Sequence, residues 1–588
     1  MHASFFSSER FPKKRLLVFD KMPLPKHWIA GVVLLWLALF AVRLTGPPYY
    51  TDKDQERPAS YIMDVVQNGN WIVQRDFTGD ITSKPPLYTW LGALVMLPGG
   101  RMNALVLYLP TALATLGVTM LVLFAGARYW GKAAGLFGSV FYLSNSGIWK
   151  QIALARTDAL FSFTVAWAAL EAYRAWTGDK GWVRFWLAAS VSTLTKGPLG
   201  VLLACGGLLA AWIERRTGHS AGFNLKRFLW PGIIIWLFLS LGWFALSLLV
   251  EGNDVFNKII QRELIGHLIG GQAASGGGIS PAFTNAYKPL FYFVSRFAPW
   301  SLISLAAFWI VWKRPSKDET CRRFERFLLC WFIVGLTIFS IAGHVRGDLI
   351  FPLIPPAALL AGKLAADLLN SRSQWKPFAV AVAIGSLSIA GAAFEYIVLH
   401  ARDGYSLQTT ALRDLAAELN RDKACPPLVH LDTPFTFQMY LNTFVPVVNL
   451  NQSAALLDGE AASWVTVGDL PTLRAALKRP GRLHVLREIK IPGMPPFYLV
   501  SNQKFLDVTK HSATRFGALG LELENVRVVS RTERELRFAA TATTGSVTVH
   551  NDTGEKPVIV RLRIEGTQRG VVGEEKRVAP GEVWKFRY

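Results

Sequence analysis

Eleven apolar runs, near residues 28–45, 102–127, 133–148, 158–174, 183–195, 198–213, 229–250, 290–312, 326–343, 349–369 and 377–399, constrain this chain more than any other feature. A helical membrane span needs roughly 20 mostly apolar residues, because inside a bilayer every backbone polar group must find its partner within its own helix. The run count, with 51% hydrophobic and 18% charged residues over 588 positions, excludes an ordinary soluble domain. The first run follows a 27-residue polar, basic tail and is long enough to remain as an anchor, so no cleavable signal peptide is read there.

Charge then orients the spans. Arg10, Lys13, Lys14, Arg15, Lys21 and Lys26 precede the first run; Arg215, Arg216, Lys226 and Arg227 follow the sixth; Lys313, Arg314, Lys317, Arg322, Arg323 and Arg326 follow the eighth. With eleven spans all three groups fall on one side, which the positive-inside rule makes cytoplasmic. The formal net charge of +22 therefore serves membrane orientation, with a further pull toward anionic lipid, and argues against nucleic-acid binding. Segments 46–101, 149–157, 251–289 and 344–348, and everything after about residue 400, are then expected outside. Four scattered cysteines (Cys205, Cys321, Cys330, Cys425) form neither a disulfide framework nor a metal-ligand spacing.

After residue 400 the pattern changes. "TALRDLAAELNRD" reads as an amphipathic helix, and "PPLVHLD", "SWVTVGD" and "RLHVLREIK" read as strands, with helical "LPTLRAALKR" between the last two. From about 505 the period becomes two, in "NVRVVSR", "ELRFAATA", "SVTVHND" and "VIVRLRI", which predicts a separate β module. The Gly-rich "GGQAASGGG" at 270–278 reads as a flexible hinge or lid.

The outer segment 46–101 is written to lie on a membrane. "ERPASYIMDVVQNGNW" predicts an interfacial helix with Tyr61, Ile62, Val65 and Val66 on one side. In "SKPPLYTWL" the two prolines fix an extended entry behind Lys84, and Leu87, Tyr88 and Trp90 are placed to anchor at headgroup level.

Taken in order, "KDQERPA" (53–59), "NGNWIVQ" (68–74), "SKPPLYTWL" (83–91), "ARTDALFSF" (155–163), "LTKGPLG" (194–200), "RFAPWSL" (296–302) and "LIFPLIPPAALLAG" (349–362) resemble the polyprenol-phosphate-dependent glycosyltransferases of the C-type fold, which include protein O-mannosyltransferases and lipid A aminoarabinose transferases. The resemblance covers about residues 1–400. It implies a polytopic α-helical membrane protein of about 11–13 transmembrane helices in the bacterial inner membrane, N-terminus cytoplasmic. The expected organisation is a cytoplasmic tail (1–27), a transmembrane glycosyltransferase domain (28–400), a periplasmic α/β domain (401–504) and a periplasmic β module (505–588). This chain departs from the family's pattern at Gln55, where the family has Glu; at Ser83, where an acid often stands; and at Leu349, where a Tyr is common.

The implied activity is inverting transfer of a sugar from a polyprenyl (undecaprenyl) phosphate carrier to a lipid or glycan acceptor, with aminoarabinose-type transfer to lipid A phosphate as the specific expectation. Another glycan or a protein hydroxyl is the alternative acceptor. A transporter of lipid-linked sugars is the rival class, disfavoured because the chain shows no repeated halves and its charges gather at the outer rim. Such transfer needs a base for the acceptor proton and cations for the charge growing on the leaving phosphate. Asp54 is the candidate base, with Asp52 structural. Lys84, Arg262, Arg296, Tyr88 and Lys196 are candidates for donor phosphate or sugar. Asp158, at the mouth of a span behind Arg156, and His267 are candidates for a divalent metal, the alternative for Asp158 being a pair with Arg156. No other cofactor is expected.

Overall fold

The structure is a computed structural model. It describes residues 24–48, 53–178, 181–217, 230, 232, 234–258, 286–342, 346–369, 375–421, 428–431, 434–503, 511–516, 519–531, 536–540, 544–551, 557–567 and 570–588. The chain divides into two compact units, Met1–Arg402 and Asp403–Tyr588.

The first unit is a polytopic helical membrane domain. Its helices are α1 (Lys26–Thr45), α2 (Lys53–Asn68), α3 (Leu87–Met96), α4 (Ala104–Trp130), α5 (Lys132–Leu143), α6 (Ser146–Gln151), α7 (Asp158–Gly178), α8 (Trp182–Lys196), α9 (Leu199–Cys205) and α10 (Leu209–Arg216), continued by α11 (Ile234–Glu251), α12 (Lys288–Arg296), α13 (Trp300–Lys313), α14 (Glu319–Ile341), α15 (Ile354–Leu369) and α16 (Trp375–Ala393). Among the described residues six helices are long and apolar enough to span a bilayer, and the bent pair α12–α13 makes up to seven. The other four runs read from sequence also fold as helices but fall short as spans by length and composition. They are α5 with 12 residues, α8 with 15, α9–α10 broken by a 3₁₀ turn, and α7 with Glu171 and Arg174 inside its 21 residues.

Two devices set the packing. Where the hydrophobic effect no longer drives helices together, close backbone approach must do so, and small residues permit it. A Cβ on Gly135 would stand 2.2 Å from the Leu123 carbonyl oxygen of α4, and one on Gly362 of α15 would stand 2.4 Å from the Gly138 nitrogen of α5. Local caps set the ends: Asn103 opens α4 by accepting from Val106 N at 3.0 Å.

The second unit holds three four-stranded sheets. A four-stranded sheet in the order β1-β2-β4-β3 comprises β1 (Leu428–His430), β2 (Trp464–Val467), β3 (His484–Ile489) and β4 (Phe497–Ser501); β1 and β2 run parallel, the other pairs antiparallel. Helices Gly404–Arg421, Phe435–Leu441, Leu450–Asp458 and Leu470–Ala476 accompany it. Strand β4 had no sequence signal as a strand, because "FYLVS" is buried at all five positions and so shows no alternation. From residue 511 eight strands follow: β5 (His511–Phe516), β6 (Leu519–Glu524), β7 (Val526–Arg531), β8 (Leu536–Ala540), β9 (Ser546–Asn551), β10 (Val558–Thr567), β11 (Gly570–Val578) and β12 (Val583–Arg587). They form two more four-stranded sheets, β11-β10-β8-β7 and β12-β9-β6-β5, around a core that includes Leu521, Phe538, Val549, Leu562 and Trp584.

Candidate active site at one end of the helical unit

The first loop is built around two buried carboxylates. Helix α2 buries Tyr61, Ile62, Met63 and Val65, and Ile62 packs against Gly92 of α3. Asp64, on the same turn, is 2% exposed and accepts from Asn68 Nδ2 (2.8 Å), Asn70 Nδ2 (3.0 Å) and Arg75 N (2.7 Å). Between the two asparagines Gly69 has φ +75°, a conformation that suits glycine, and this explains the "NGN" turn. Asp76, also 2% exposed, accepts from Thr78 N (2.9 Å), Thr78 Oγ1 (2.6 Å) and Asp80 N (3.1 Å), and faces Arg57 Nε at 3.4 Å. The sequence reading assigned no role to either carboxylate.

The loop is fastened to a span. Trp243 of α11 donates to the Ile72 carbonyl at 3.1 Å, and Glu251 at the end of α11 pairs with Arg75 at 2.6 Å. Lys258 meets Asp80 at 3.1 Å. Val73, Ile81, Trp243 and Val255 form a small core into which Trp90 and Leu194 pack, so the C-terminal end of α8 lies beside the loop.

Asp54 lies in the first turn of α2, but its side chain is outside the described residues. Its neighbour Gln55, where the family has a second acid, is turned inward at 3% exposure. Lys84 is half-buried, its backbone nitrogen accepted by Thr82 Oγ1 at 3.3 Å. Tyr88 is a correction. It is 2% exposed and its hydroxyl donates to the Leu107 carbonyl at 2.6 Å, so it packs α3 on α4 and does not anchor at headgroup level. Arg262 and His267 lie outside the described residues, as does the Gly-rich 270–278 stretch.

Lys196, the last residue of α8, bonds to the carboxylate of Asp158, the first residue of α7. Both are largely buried, with side chains 15% and 9% exposed. The alternative reading of Asp158, a pair with Arg156, gives way to this pair with Lys196. The start of α7 sends the two side chains to different partners, and Arg156 reaches Asp348. Among the described residues no three His, Cys, Asp or Glu side chains gather as a metal-binding group, and the Asp158 carboxylate is already engaged by a cation.

A second charged group surrounds Asp348. Its Oδ2 accepts from Lys150 Nζ at 3.1 Å and from Arg156 Nη1 at 3.2 Å. The Arg296 guanidinium lies over the adjoining glycine, so that a Cβ on Gly347 would stand 3.2 Å from Arg296 Nε. Residues 192 and 198 apart in sequence thus meet at one carboxylate. The segment carrying Lys150 and Arg156 is held by Trp300 Nε1 donating to Ser144 O (2.6 Å) and Arg43 Nη2 donating to Ala153 O (2.8 Å). Next to Lys150, Gln151 is fully buried, and neither of its amide atoms meets a described partner. The sequence reading had Arg296 as a donor contact and missed Lys150 and Asp348 as site residues. Each is a single charge at the end of an apolar run, and no spacing links them.

Residues 83–243 match the family described as dolichyl-phosphate-mannose-protein mannosyltransferase. An undecaprenyl phosphate-α-4-amino-4-deoxy-L-arabinose arabinosyl transferase of Pseudomonas fluorescens (strain Pf0-1) is 22% identical over 379 residues, 62% of this chain and 63% of the relative. A second such enzyme, from Proteus mirabilis (strain HI4320), is 24% identical, over 57% of this chain and 58% of its own. The chain thus spans about six-tenths of the length of these relatives. Among solved structures, ArnT from Cupriavidus metallidurans bound to undecaprenyl phosphate matches with a TM-score of 0.59 at 16% identity, over 81% of this chain and 98% of that one. Its apo state matches with 0.61. Family match, relatives and fold agree: the chain is similar to polyprenol-phosphate-dependent glycosyltransferases over its helical part and shares the fold of ArnT.

Proposed function

We propose that this protein transfers a sugar from an undecaprenyl-type phosphate carrier to an acceptor at the outer face of the bacterial inner membrane, with the acceptor best read as a phosphate of lipid A. The observation that carries this reading is the gathering of the first loop, the Lys196–Asp158 pair and the Asp348 cluster on segments the sequence assigns to one side of the membrane. A lipid-borne donor presents its reactive carbon at that boundary and nowhere deeper.

The acceptor oxygen attacks the anomeric carbon from the face opposite the carrier. The bond from that carbon to the phosphate oxygen breaks, and the electron pair leaves on the carrier phosphate. Asp54 is the base that takes any proton on the attacking oxygen, and inversion follows from the single displacement. Lys84, with its compact ammonium, meets the charge that grows on the leaving phosphate. The Lys196–Asp158 pair holds the end of α8 against α7 beside the loop. The N-terminal tail is cytoplasmic in this reading, and residues after about 400 are periplasmic.

The test is purified full-length protein with an undecaprenyl-phosphate aminosugar and lipid A. Wild type is expected to form glycosylated lipid A, and at about pH 5, where the acceptor phosphate still carries its second proton, Asp54→Asn is expected to bind carrier but form product at least a hundredfold more slowly. Full activity in Asp54→Asn removes Asp54 as the base. No product from wild type with any polyprenyl-phosphate sugar removes the reading.

A further inference from the structure

We infer that Lys150, Arg156 and Arg296, arranged around Asp348, form a second anion site, separate from Lys84, that holds the phosphate of a phosphorylated lipid acceptor. The inference rests on the transfer reading above and adds residues that no comparison assigns.

Lys150 and Arg156 share one oxygen of Asp348, at 3.1 and 3.2 Å, and the Arg296 guanidinium closes the group over Gly347. Lys150, Arg156 and Arg296 crowd like charge at Asp348, and their side chains are not in open water: Lys150 is 32% exposed and Arg156 15%. In such a partly desolvated place like charges cost more than at a surface, and a further anion relieves them. A phosphate monoester, with close to two negative charges at neutral pH, fits that need. It also fits the donor geometry, since two guanidinium forks and an ammonium offer directed N–H groups to phosphate oxygens.

The carboxylate in the middle decides which phosphate. During transfer the carrier phosphate goes from diester to monoester and gains negative charge, so its site should hold cations without an acid among them. The acceptor phosphate goes from monoester to diester and loses charge as its oxygen attacks. A site that gripped it with cations alone would stabilise the attacking anion and slow it. Asp348 tempers the cluster and suits it to the acceptor. Two phosphates brought to one sugar carbon also repel, which calls for two cation sets. Lys84 is one and this group is the other.

Rigid positioning supports the assignment. Gly147, beside Lys150, has no room for a side chain: a Cβ there would stand 2.6 Å from the Arg296 carbonyl oxygen. Helix α6 and the end of α12 are thus pressed together at the level of the cluster, and Ser162 of α7 fixes the following turn through the Phe351 carbonyl at 3.0 Å.

The experiment measures binding of three probes to the full-length protein in nanodiscs: bisphosphorylated lipid A, the same lipid A stripped of phosphate, and undecaprenyl phosphate. In Lys150→Met and Arg156→Met, affinity for bisphosphorylated lipid A is expected to fall at least tenfold. Undecaprenyl phosphate is expected to bind within twofold of wild type, which also certifies folding. Phosphate-free lipid A should bind wild type and variants alike, and Arg156→Lys should recover part of the loss. Variants that keep lipid A affinity, or that lose both phosphorylated probes equally, overturn the inference. So does displacement of lipid A by an equal concentration of inorganic phosphate, which would mark a free-anion site. Wild type that binds undecaprenyl phosphate but not lipid A overturns the inference and leaves the donor reading standing. Wild type that fails to bind undecaprenyl phosphate removes the donor reading itself.

Discussion

The ammonium of Lys196, which ends α8, is bonded to the carboxylate of Asp158, which begins α7. Removing one partner of a largely buried pair leaves the other charge uncompensated, at a cost of about 3–5 kcal/mol. Lys196→Met is therefore expected to lower the thermal midpoint of the purified protein by several degrees. Lys196→Met with Asp158→Leu should regain most of that loss. The check is a double-variant cycle by thermal unfolding in detergent. Additive losses would show that the two side chains are not coupled.

Asp64 is expected to be the strut of the first loop. Asp64→Ala removes the acceptor of the Asn68 and Asn70 side-chain amides and of the Arg75 backbone N–H; water can replace the bond of the exposed Asn68, and the loss is about 1–3 kcal/mol for the partly buried Asn70 and Arg75 groups together. Gly69→Ala places a Cβ at φ +75° and costs about 1–2 kcal/mol without touching a neighbour. Both variants should become more sensitive to protease between residues 64 and 80, Asp64→Ala the more so. Equal resistance in all three proteins would show that the loop is held elsewhere.

Two glycines near Arg296 allow a ranking. At Gly147 a Cβ meets the Arg296 backbone oxygen at 2.6 Å, whereas at Gly347 it meets the end of the Arg296 side chain at 3.2 Å. Backbone cannot yield cheaply and a guanidinium can. Gly147→Ala is expected to destabilise by about 1–3 kcal/mol and Gly347→Ala by less than half of that. Chemical denaturation in mixed micelles gives the order, and the reverse order would contradict the geometry.

His430 gives a pH dependence to the second unit. It is 1% exposed, its Nδ1 bonded to Thr466 Oγ1 and its Nε2 buried, and burial pushes its pKa from 6.5 down to about 3. Because the folded value lies below the unfolded one, the neutral ring contributes stability that is complete above pH 6.5 and is lost as pH falls toward 3. Hydrogen exchange at the β1 and β2 amides is expected to quicken about tenfold per pH unit through that window, after correction for intrinsic rates. His430→Phe should flatten the dependence. An unchanged slope in that variant would assign it to another group.

The departures from expectation share a cause. Tyr88 reads as a headgroup anchor because it follows Lys-Pro-Pro, yet α3 turns it onto α4. Arg156 stands two residues from Asp158, which makes it the alternative to a metal there, yet the chain enters α7 between them and Arg156 points to a carboxylate 192 residues distant. Asp64 and Asp76 carry no signal in the sequence and are buried hydrogen-bond centres. The β4 strand is buried on both faces, which erases the alternation by which strands are recognised.

By itself the sequence determined the helical membrane class, the family resemblance and the alternating strands of the C-terminal module. Hydropathy and local periodicity are carried by neighbouring residues, and a bilayer or a half-buried sheet reads them directly. Only the tertiary structure decided which charges meet: Lys196 with Asp158, Arg75 with Glu251, Lys150 and Arg156 with Asp348. Those pairings depend on how helices cross and where glycine lets backbones touch. Such contacts join residues far apart in the chain, and no local pattern records them.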